Sequence, residues 1–265
     1  MKKITTFLVI VTSVGSIVWI ATLNLSQFAV MGQEIPPLEP DPNPTTVSAG
    51  PRFIQPTEDR DTLFPGIQSP EPERVRGYCV NFPQASFTAL VPENKIARTV
   101  SDYPTFFFYL PQPNAELAEF ILQDENGKQI YSQALTIKNL SGVIGVSIPA
   151  NTNVPPLEVG KKYTWVFSLV CDPEDRAADK VEKGTVRRVE LSADILRQLD
   201  AADPRQKIVI YAENGIWQDA VGNLAAARRA NPNDKDLAAD WESLLDSVTL
   251  RAIAKEPIVE KEAQP

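Results

Sequence analysis

Four carboxylates lie close together in a short stretch of the chain, CDPEDRAAD, which ends at Asp179. The acids are Asp172, Glu174, Asp175 and Asp179, with one arginine among them. Carboxylate oxygens held by a loop are ligands for Ca²⁺. The spacing is not that of an EF-hand loop, the central glycine is missing, and an Asp-Pro step beside an arginine commonly turns a chain. We therefore predict a structural turn, with a calcium site and a catalytic carboxylate as the alternatives.

Acid–base chemistry elsewhere is limited because the 265 residues include no histidine. Without imidazole, Ser/His/Asp and Cys/His mechanisms are excluded. A carboxylate-dependent hydrolase would need a second acid across a cleft, at about 5 to 10 Å. Nothing in the sequence places Glu93, Glu119 or Glu213 in that position. We expect no catalytic residue, no cofactor and no enzymatic activity.

The two cysteines, Cys79 and Cys171, are about 90 residues apart. Each lies in strand-like sequence, in a chain that begins like a protein leaving the reducing cytoplasm. We predict a disulfide between them, and buried free thiols are the alternative. In the chain-entropy model the bond would stabilise the fold by up to roughly 4.6 kcal/mol. A metal role is not expected, because there is no CxxC pair and no third soft ligand.

The compartment is indicated by residues 1–32, where Lys2 and Lys3 precede an apolar run from Phe7 to Leu23. This order is typical of a secretory signal peptide, and an uncleaved membrane anchor is the alternative. We expect an exported protein, periplasmic or extracellular, that touches a membrane only through this segment. The net charge of −8 argues against a nucleic-acid partner.

Two segments predict disorder. Residues 33–76 hold ten prolines and few large apolar residues, so they cannot bury enough surface to offset the entropy of ordering. We interpret them as a Pro-rich linker. Residues 257–265 form a short tail, which we also expect to be disordered.

Residues 77–191 are rich in aromatic and β-branched residues, with turn residues at intervals of about ten. The dipeptide Asn126-Gly127 predicts a hairpin turn. In LEVGKKYTW, Tyr163 is similar to the tyrosine before strand F of immunoglobulin and fibronectin domains, whose hydroxyl bonds back to the backbone. An ordinary strand aromatic is the alternative. We predict an antiparallel β-sandwich of the immunoglobulin or fibronectin type.

The stretch YPTFFFYLP places consecutive aromatic residues on one of these strands, where neighbouring side chains face opposite sides of the sheet. We expect one side to fill the sandwich core and the other to be covered by the helical part of the chain. Presentation of the second side to a ligand is the alternative.

Residues 192–256 change to an apolar period between three and four, which predicts a small C-terminal helical bundle. The stretch YAENGIWQDAVGNLAAARRANPND has tetratricopeptide-like spacing. One repeat cannot build a continuous core by stacking. We expect the helix pair to pack on its neighbours, and a peptide-binding groove is the alternative. Tyr211, Trp217 and Trp241 are the candidate interaction surface.

Several motifs occur together in order: FTALVPENKIARTVSDYPTFFFYLP, AEFILQDENGKQIY, PPLEVGKKYTWVFSLVCDPEDRAAD, the helical stretch above and LAADWESLL. With this set, the chain from about Arg76 to Pro257 resembles an uncharacterised family of exported cyanobacterial proteins, defined only as a domain of unknown function. The resemblance implies an α+β protein, an immunoglobulin-like β region followed by a tetratricopeptide-like helical region. It implies an envelope or secreted location and brings no known activity, substrate or site residues.

Two functional classes follow from these observations. We favour an exported, non-enzymatic protein-interaction or scaffold domain with an envelope protein as its partner. The alternative is a carbohydrate-binding or carboxylate-dependent carbohydrate-active envelope protein.

Overall fold

The computed structural model of the chain describes residues 50–60, 87–112, 115–150 and 153–259. The predicted signal segment, most of the linker, Cys79 and the end of the tail lie outside these ranges. No helix within them is long and apolar enough to cross a membrane.

The described residues form nine strands and five helices. The strands are β1 Thr88–Ala89, β2 Ile96–Thr99, β3 Thr105–Leu110, β4 Leu117–Gln123, β5 Gln129–Thr136, β6 Gly142–Ser147, β7 Lys162–Val170, β8 Lys180–Arg188 and β9 Ile258–Val259. The helices are α1 Thr57–Arg60, α2 Ala193–Ala201, α3 Pro204–Glu213, α4 Trp217–Ala230 and α5 Lys235–Asp246.

The strands make two sheets, one of four strands in the order β1-β3-β6-β9 and one of five in the order β2-β8-β7-β4-β5. Most pairs are antiparallel, but β2 runs parallel to β8 and β9 runs parallel to β6. The α+β class is confirmed, whereas the prediction of purely antiparallel sheets is wrong. Alternating apolar residues identify a strand but not its direction, and both parallel pairs join segments far apart in the chain.

A core of aromatic side chains lies between the two sheets. Phe108 of β3 stacks on Phe167 of β7, with ring centroids 4.1 Å apart, and meets Trp165 edge-on at 5.6 Å. Phe106 packs on Phe120 of β4 at 4.9 Å. Aromatic pairs in these arrangements contribute about 0.5–1.5 kcal/mol beyond the burial of their surface. They hold the four-stranded sheet against the five-stranded sheet.

A second core lies on the opposite face of the four-stranded sheet. Phe107 and Tyr109 alternate along β3 with Phe106 and Phe108. They pack in one buried cluster with side chains of α4 and α5. The Trp217 indole N–H of α4 donates to the carbonyl of Leu90 at 2.8 Å. The predicted division of the aromatic run between a sandwich core and a helical cover is confirmed, and the β region and the helices share this core.

Residues 50–60 pack on the helices, which differs from the disorder expected for residues 33–76. The ring of Phe53 meets Trp217 edge-on, at a centroid distance of 5.2 Å. The Ile54 amide donates to the carbonyl of Ala212 at 3.0 Å. The average composition of residues 33–76 hides the ordered stretch 50–60. In that stretch one aromatic side chain and a few hydrogen bonds are enough to hold the backbone against the helices.

The same segment is fastened to the edge strand β2. Arg98 donates through Nε to the buried carboxylate of Asp59 at 2.7 Å and also pairs with Glu58. The amide of Asn94 donates to the Asp59 carbonyl at 2.8 Å. A buried ion pair of this kind is stabilising only because its remaining polar atoms are also bonded.

The start of the predicted tail is also part of the fold. The Pro257 carbonyl accepts a hydrogen bond from Val143 N–H at 2.7 Å, and β9 then pairs with β6. The expected disorder over residues 257–265 therefore does not hold for its first three residues. Pro257 has no amide hydrogen, but its carbonyl can still join the edge of a sheet.

Side-chain caps begin three of the helices, as the sequence indicates. Ser192 accepts from Ile195 N–H, and Asp203 forms a reciprocal capping box with Gln206. Asp234 caps α5. Caps of this kind each contribute about 1 kcal/mol. The helices therefore start where local chemistry sets them, while their packing partners lie far away in sequence.

Candidate interaction surface

The two tryptophans predicted to meet a partner are core residues. Trp217 and Trp241 both have 0% of their surface exposed. Trp217 lies against the four-stranded sheet, and Trp241 lies between α4 and α5, with the Arg228 guanidinium 5.5 Å from its ring. This part of the prediction needs correction, because the apolar stripe of each helix faces the buried cluster that the helices share with the four-stranded sheet.

Tyr211 is only half-buried on α3. Burial and, to a smaller extent, the nearby carboxylate of Asp219 raise the pKa of its hydroxyl. The ring stays neutral at physiological pH. Of the three residues of the predicted surface, Tyr211 is the one that retains solvent contact.

The acidic loop after β7 is a hydrogen-bonded turn. Asp172 accepts from Glu174 N–H at 2.9 Å, and Asp175 caps a short 3₁₀ turn through Ala177 N–H at 3.1 Å. Asp179 accepts from Cys171 N–H at 3.1 Å. No group of three or more potential metal ligands occurs in the described ranges. Three of the four carboxylates bind the loop's own backbone, as a structural turn requires.

Arg176 joins this loop to β4. Its guanidinium donates to both oxygens of Glu119, at 2.7 and 3.3 Å, and through Nε to Asp179 at 2.7 Å. These bonds raise the pKa of Arg176 further above its ordinary value. Because Arg176 and Glu119 are partly exposed, the pair adds little stability. Its effect is to occupy Glu119, an acid considered as a second catalytic carboxylate.

Asp219 is the one described carboxyl group whose pKa is clearly raised, and the cause is burial. Its Oδ2 atom accepts from the Thr99 hydroxyl at 2.8 Å and from Val100 N–H at 3.0 Å. These bonds oppose the effect of burial on the pKa. Asp219 is on α4, whereas Thr99 ends β2. The carboxyl therefore fastens a helix to a strand, and sequence reasoning missed it because the partners are 120 residues apart.

The residues predicted to shape the β region lie in a hairpin turn or bond to a turn. The Tyr163 hydroxyl accepts from Glu158 N–H at 2.9 Å, a bond back to the backbone of the preceding turn. In the hairpin between β4 and β5, Gly127 has φ +78° and Asp124 accepts from the amide of Asn126. The positive φ explains the glycine.

The predicted disulfide involves Cys171, which follows β7 directly. Cys79 lies outside the described residues, so the pairing stays a prediction. The backbone of Cys171 is held in place by the bond from its amide to Asp179.

A surface that sequence reasoning did not single out lies on the five-stranded sheet. The helices pack on the four-stranded sheet and on β2, and within the described ranges no helix packs on the outer side of β4, β5, β7 and β8. We call this side the open face. The side chains on this side of the sheet are Leu117, Glu119, Ile121, Ala134, Val166, Ser168, Val170, Val181 and Lys183. Ser168 and Val170 are buried among their neighbours, whereas Leu117 and Val181 are exposed.

The open face has an aliphatic end. Leu117 and Val181 are 43% and 53% exposed. Strand register places Leu117 opposite Val170 and Ile121 opposite Val166, so these side chains adjoin. A solvent-facing sheet surface normally carries polar side chains. The sequence signal was available, because LAEFIL in β4 has apolar residues on both sides of the strand.

The described residues thus form a two-sheet α+β fold, with helices packed on the outer side of the four-stranded sheet. Residues 71–258 match the family described as Domain of Unknown Function (DUF928). The match covers more than half of the chain, and the chain belongs to this family.

Among solved structures, the chain is similar to CopC from Methylosinus trichosporium OB3b, with 12% identity over 40% of this chain and 99% of that one. The TM-score is 0.27. It is also similar to Astrotactin-2, a vertebrate-specific, perforin-like membrane protein, with 13% identity over 58% of this chain, 34% of that one and a TM-score of 0.20. Scores this low support no argument. No curated protein matches the sequence.

Proposed function

We propose that the protein is an exported, non-enzymatic protein-interaction or scaffold domain of the cell envelope, and that the open face is its contact surface. The observation that carries the proposal is the pair of exposed aliphatic residues Leu117 and Val181, on a side of the sheet where no described helix packs. Exposed apolar patches on monomeric domains commonly mark interaction sites. The buried tryptophans of the helical end no longer support a contact there.

Export is supported by the sequence of residues 1–32 and by the resemblance to exported cyanobacterial proteins. The predicted Cys79–Cys171 disulfide fits the same compartment. The immunoglobulin-like description of the β region and the tetratricopeptide-like description of α3 and α4 belong to the same proposal.

A non-enzymatic role is supported by how the acids are used. The chain has no histidine. Glu119 is bound by Arg176, and Asp219 is bound by Thr99 and Val100. The aromatic residues of YPTFFFYLP that could have stacked on a sugar fill the two cores instead. The carbohydrate alternative therefore loses the surface aromatics and one of its candidate acids, Glu119. Glu93 and Glu213 are exposed.

The test is a crosslinking pull-down from the native envelope with the full chain and two valine variants. Val181→Asp places a charge on the open face. Val159→Asp is a matched control, because Val159 is 52% exposed but lies in the turn before β7. We expect Val181→Asp, and likewise Leu117→Asp, to lose a partner that wild type and Val159→Asp both capture. An identical partner set for all four proteins would refute the open face as the contact surface.

A further inference from the structure

A row of three cationic residues crosses the end of the five-stranded sheet opposite its aliphatic end. In the strand register, Arg187 of β8 lies directly opposite Lys162 of β7 on one side and Arg98 of β2 on the other. Direct cross-strand partners project from the same side of a sheet, with Cβ atoms about 4.5–5.5 Å apart. Their neighbours in sequence, Val186 and Tyr163, are buried in the core, so the row faces outward.

Like charges directly opposite each other on a sheet are destabilising. The charge of Arg98 is balanced, since it pairs with Asp59 and Glu58. Neither Arg187 nor Lys162 forms an ion pair with a carboxylate in the described parts of the chain. Two uncompensated cations are thus adjacent in a protein of net charge −8.

The Arg187 side chain shows a second departure from ordinary packing. Its Nε atom is shielded from solvent and has no hydrogen-bond partner. A buried polar group without a partner is costly, and more so when it carries charge. Lys162 is exposed beside it. The Nε–H donor of Arg187 is thus already shielded from water, while the ammonium group of Lys162 remains exposed to solvent.

We propose that Arg187 and Lys162 form a binding site for an oxyanion, a group such as phosphate, sulfate or carboxylate that carries at least two acceptor oxygens. The planar guanidinium suits two oxygens of one such group, and the ammonium adds a second positive charge. An anion held between the two side chains would relieve the repulsion between Arg187 and Lys162. Thr164 and Thr185 form the next pair on this side of the same two strands. Thr164 is partly exposed and can supply a hydroxyl group beside the site, whereas Thr185 is buried.

This site goes beyond the proposed function. It lies at the other end of the open face from Leu117 and Val181, and it would bind its anion whether or not the aliphatic end contacts a protein. The two proposals can therefore fail separately, because one concerns partner capture and the other concerns binding of a small ion.

The experiment is isothermal titration calorimetry of inorganic phosphate, sulfate and acetate into the full chain at constant ionic strength. We expect one site per chain in wild type. Arg187→Gln should weaken binding at least tenfold, and Lys162→Gln about three- to tenfold. Lys138→Gln is the matched control, because Lys138 is 59% exposed and pairs with Glu116 away from the row. It should bind as wild type does.

If Arg187→Gln does not fold, Lys162→Gln still tests the site, because the Lys162 side chain is exposed and its replacement leaves the fold intact. Arg187→Lys keeps the positive charge but removes the planar guanidinium that suits two oxygens of one anion. It should therefore lose more affinity for the three anions than Lys138→Gln does. Tighter binding of phosphate and sulfate would assign a phosphate or sulfate group to the site, and tighter binding of acetate would assign a carboxylate. No saturable binding of any of the three ions by wild type, or equal binding by Lys162→Gln and wild type, would overturn the site.

Discussion

The carboxyl group of Asp219 allows a sharp test of how α4 is attached to β2. Replacing it with alanine removes the acceptor for two groups, the Thr99 hydroxyl and Val100 N–H. The side chain of Thr99 is fully buried. A buried donor left without a partner costs about 1–3 kcal/mol. Loss of a buried charge offsets part of this, so we expect Asp219→Ala to lower the free energy of unfolding by about 2–3 kcal/mol.

Asp219→Asn is the informative comparison, because asparagine keeps one acceptor oxygen and carries no charge. We expect its free energy of unfolding to lie within about 1 kcal/mol of wild type at neutral pH. Both variants are measured by urea denaturation at pH 7, with the slope against denaturant checked for a common unfolded state.

The pH dependence of stability tests the direction in which the buried Asp219 carboxyl acts. Burial raises the pKa of Asp219 in the folded state, so the folded protein takes up this proton more readily than the unfolded chain. Stability due to this group therefore rises as pH falls from its folded pKa towards its unfolded value, and saturates below it. Wild type should gain stability relative to Asp219→Asn over that window. A constant difference between the two, or a cost below 0.5 kcal/mol for Asp219→Ala, roughly the noise of surface substitutions, would refute the reasoning.

Two further predictions concern the attachment of other segments. Gly215 has φ +72°, and a Cβ there would lie 2.7 Å from Pro56 Cδ, whereas Gly160 has φ +85° with nothing within 4 Å. We expect Gly215→Ala to lower the free energy of unfolding by about 3 kcal/mol and Gly160→Ala by about 1 kcal/mol, measured by thermal and urea unfolding. Equal losses would show that residues 50–60 do not pack against Gly215. Reduction should lower the free energy of unfolding by up to roughly 4.6 kcal/mol if Cys79 and Cys171 are bonded, and unchanged stability after reduction would exclude that disulfide.

Much of the local structure is readable from the sequence. The alternation in YPTFFFYLP predicts that Phe106 and Phe108 face one core and Phe107 another, because side chains on a strand point to opposite sides. The caps at Ser192 and Asp203 follow from side chains that bond their own helix. Each of these features depends on residues a few positions apart, and their physical cause acts over that distance.

The candidate site is different, since each of its features depends on which distant segments become neighbours. The sequence marks Trp217 and Trp241 as large apolar residues, but only the position of the four-stranded sheet decides that they are buried. Arg187 is an ordinary strand residue until β2 and β7 place Arg98 and Lys162 beside it. Composition cannot distinguish a paired cation from an unpaired one.

The sequence by itself determined most of the strands and helices, the absence of imidazole chemistry and the residues able to form a core. Only the tertiary structure decided the strand directions, the side of the sheet on which the helices pack and the partner of each buried charge. The reason is physical: period and capping are set by neighbours along the chain, whereas burial and ion pairing are set by neighbours in space.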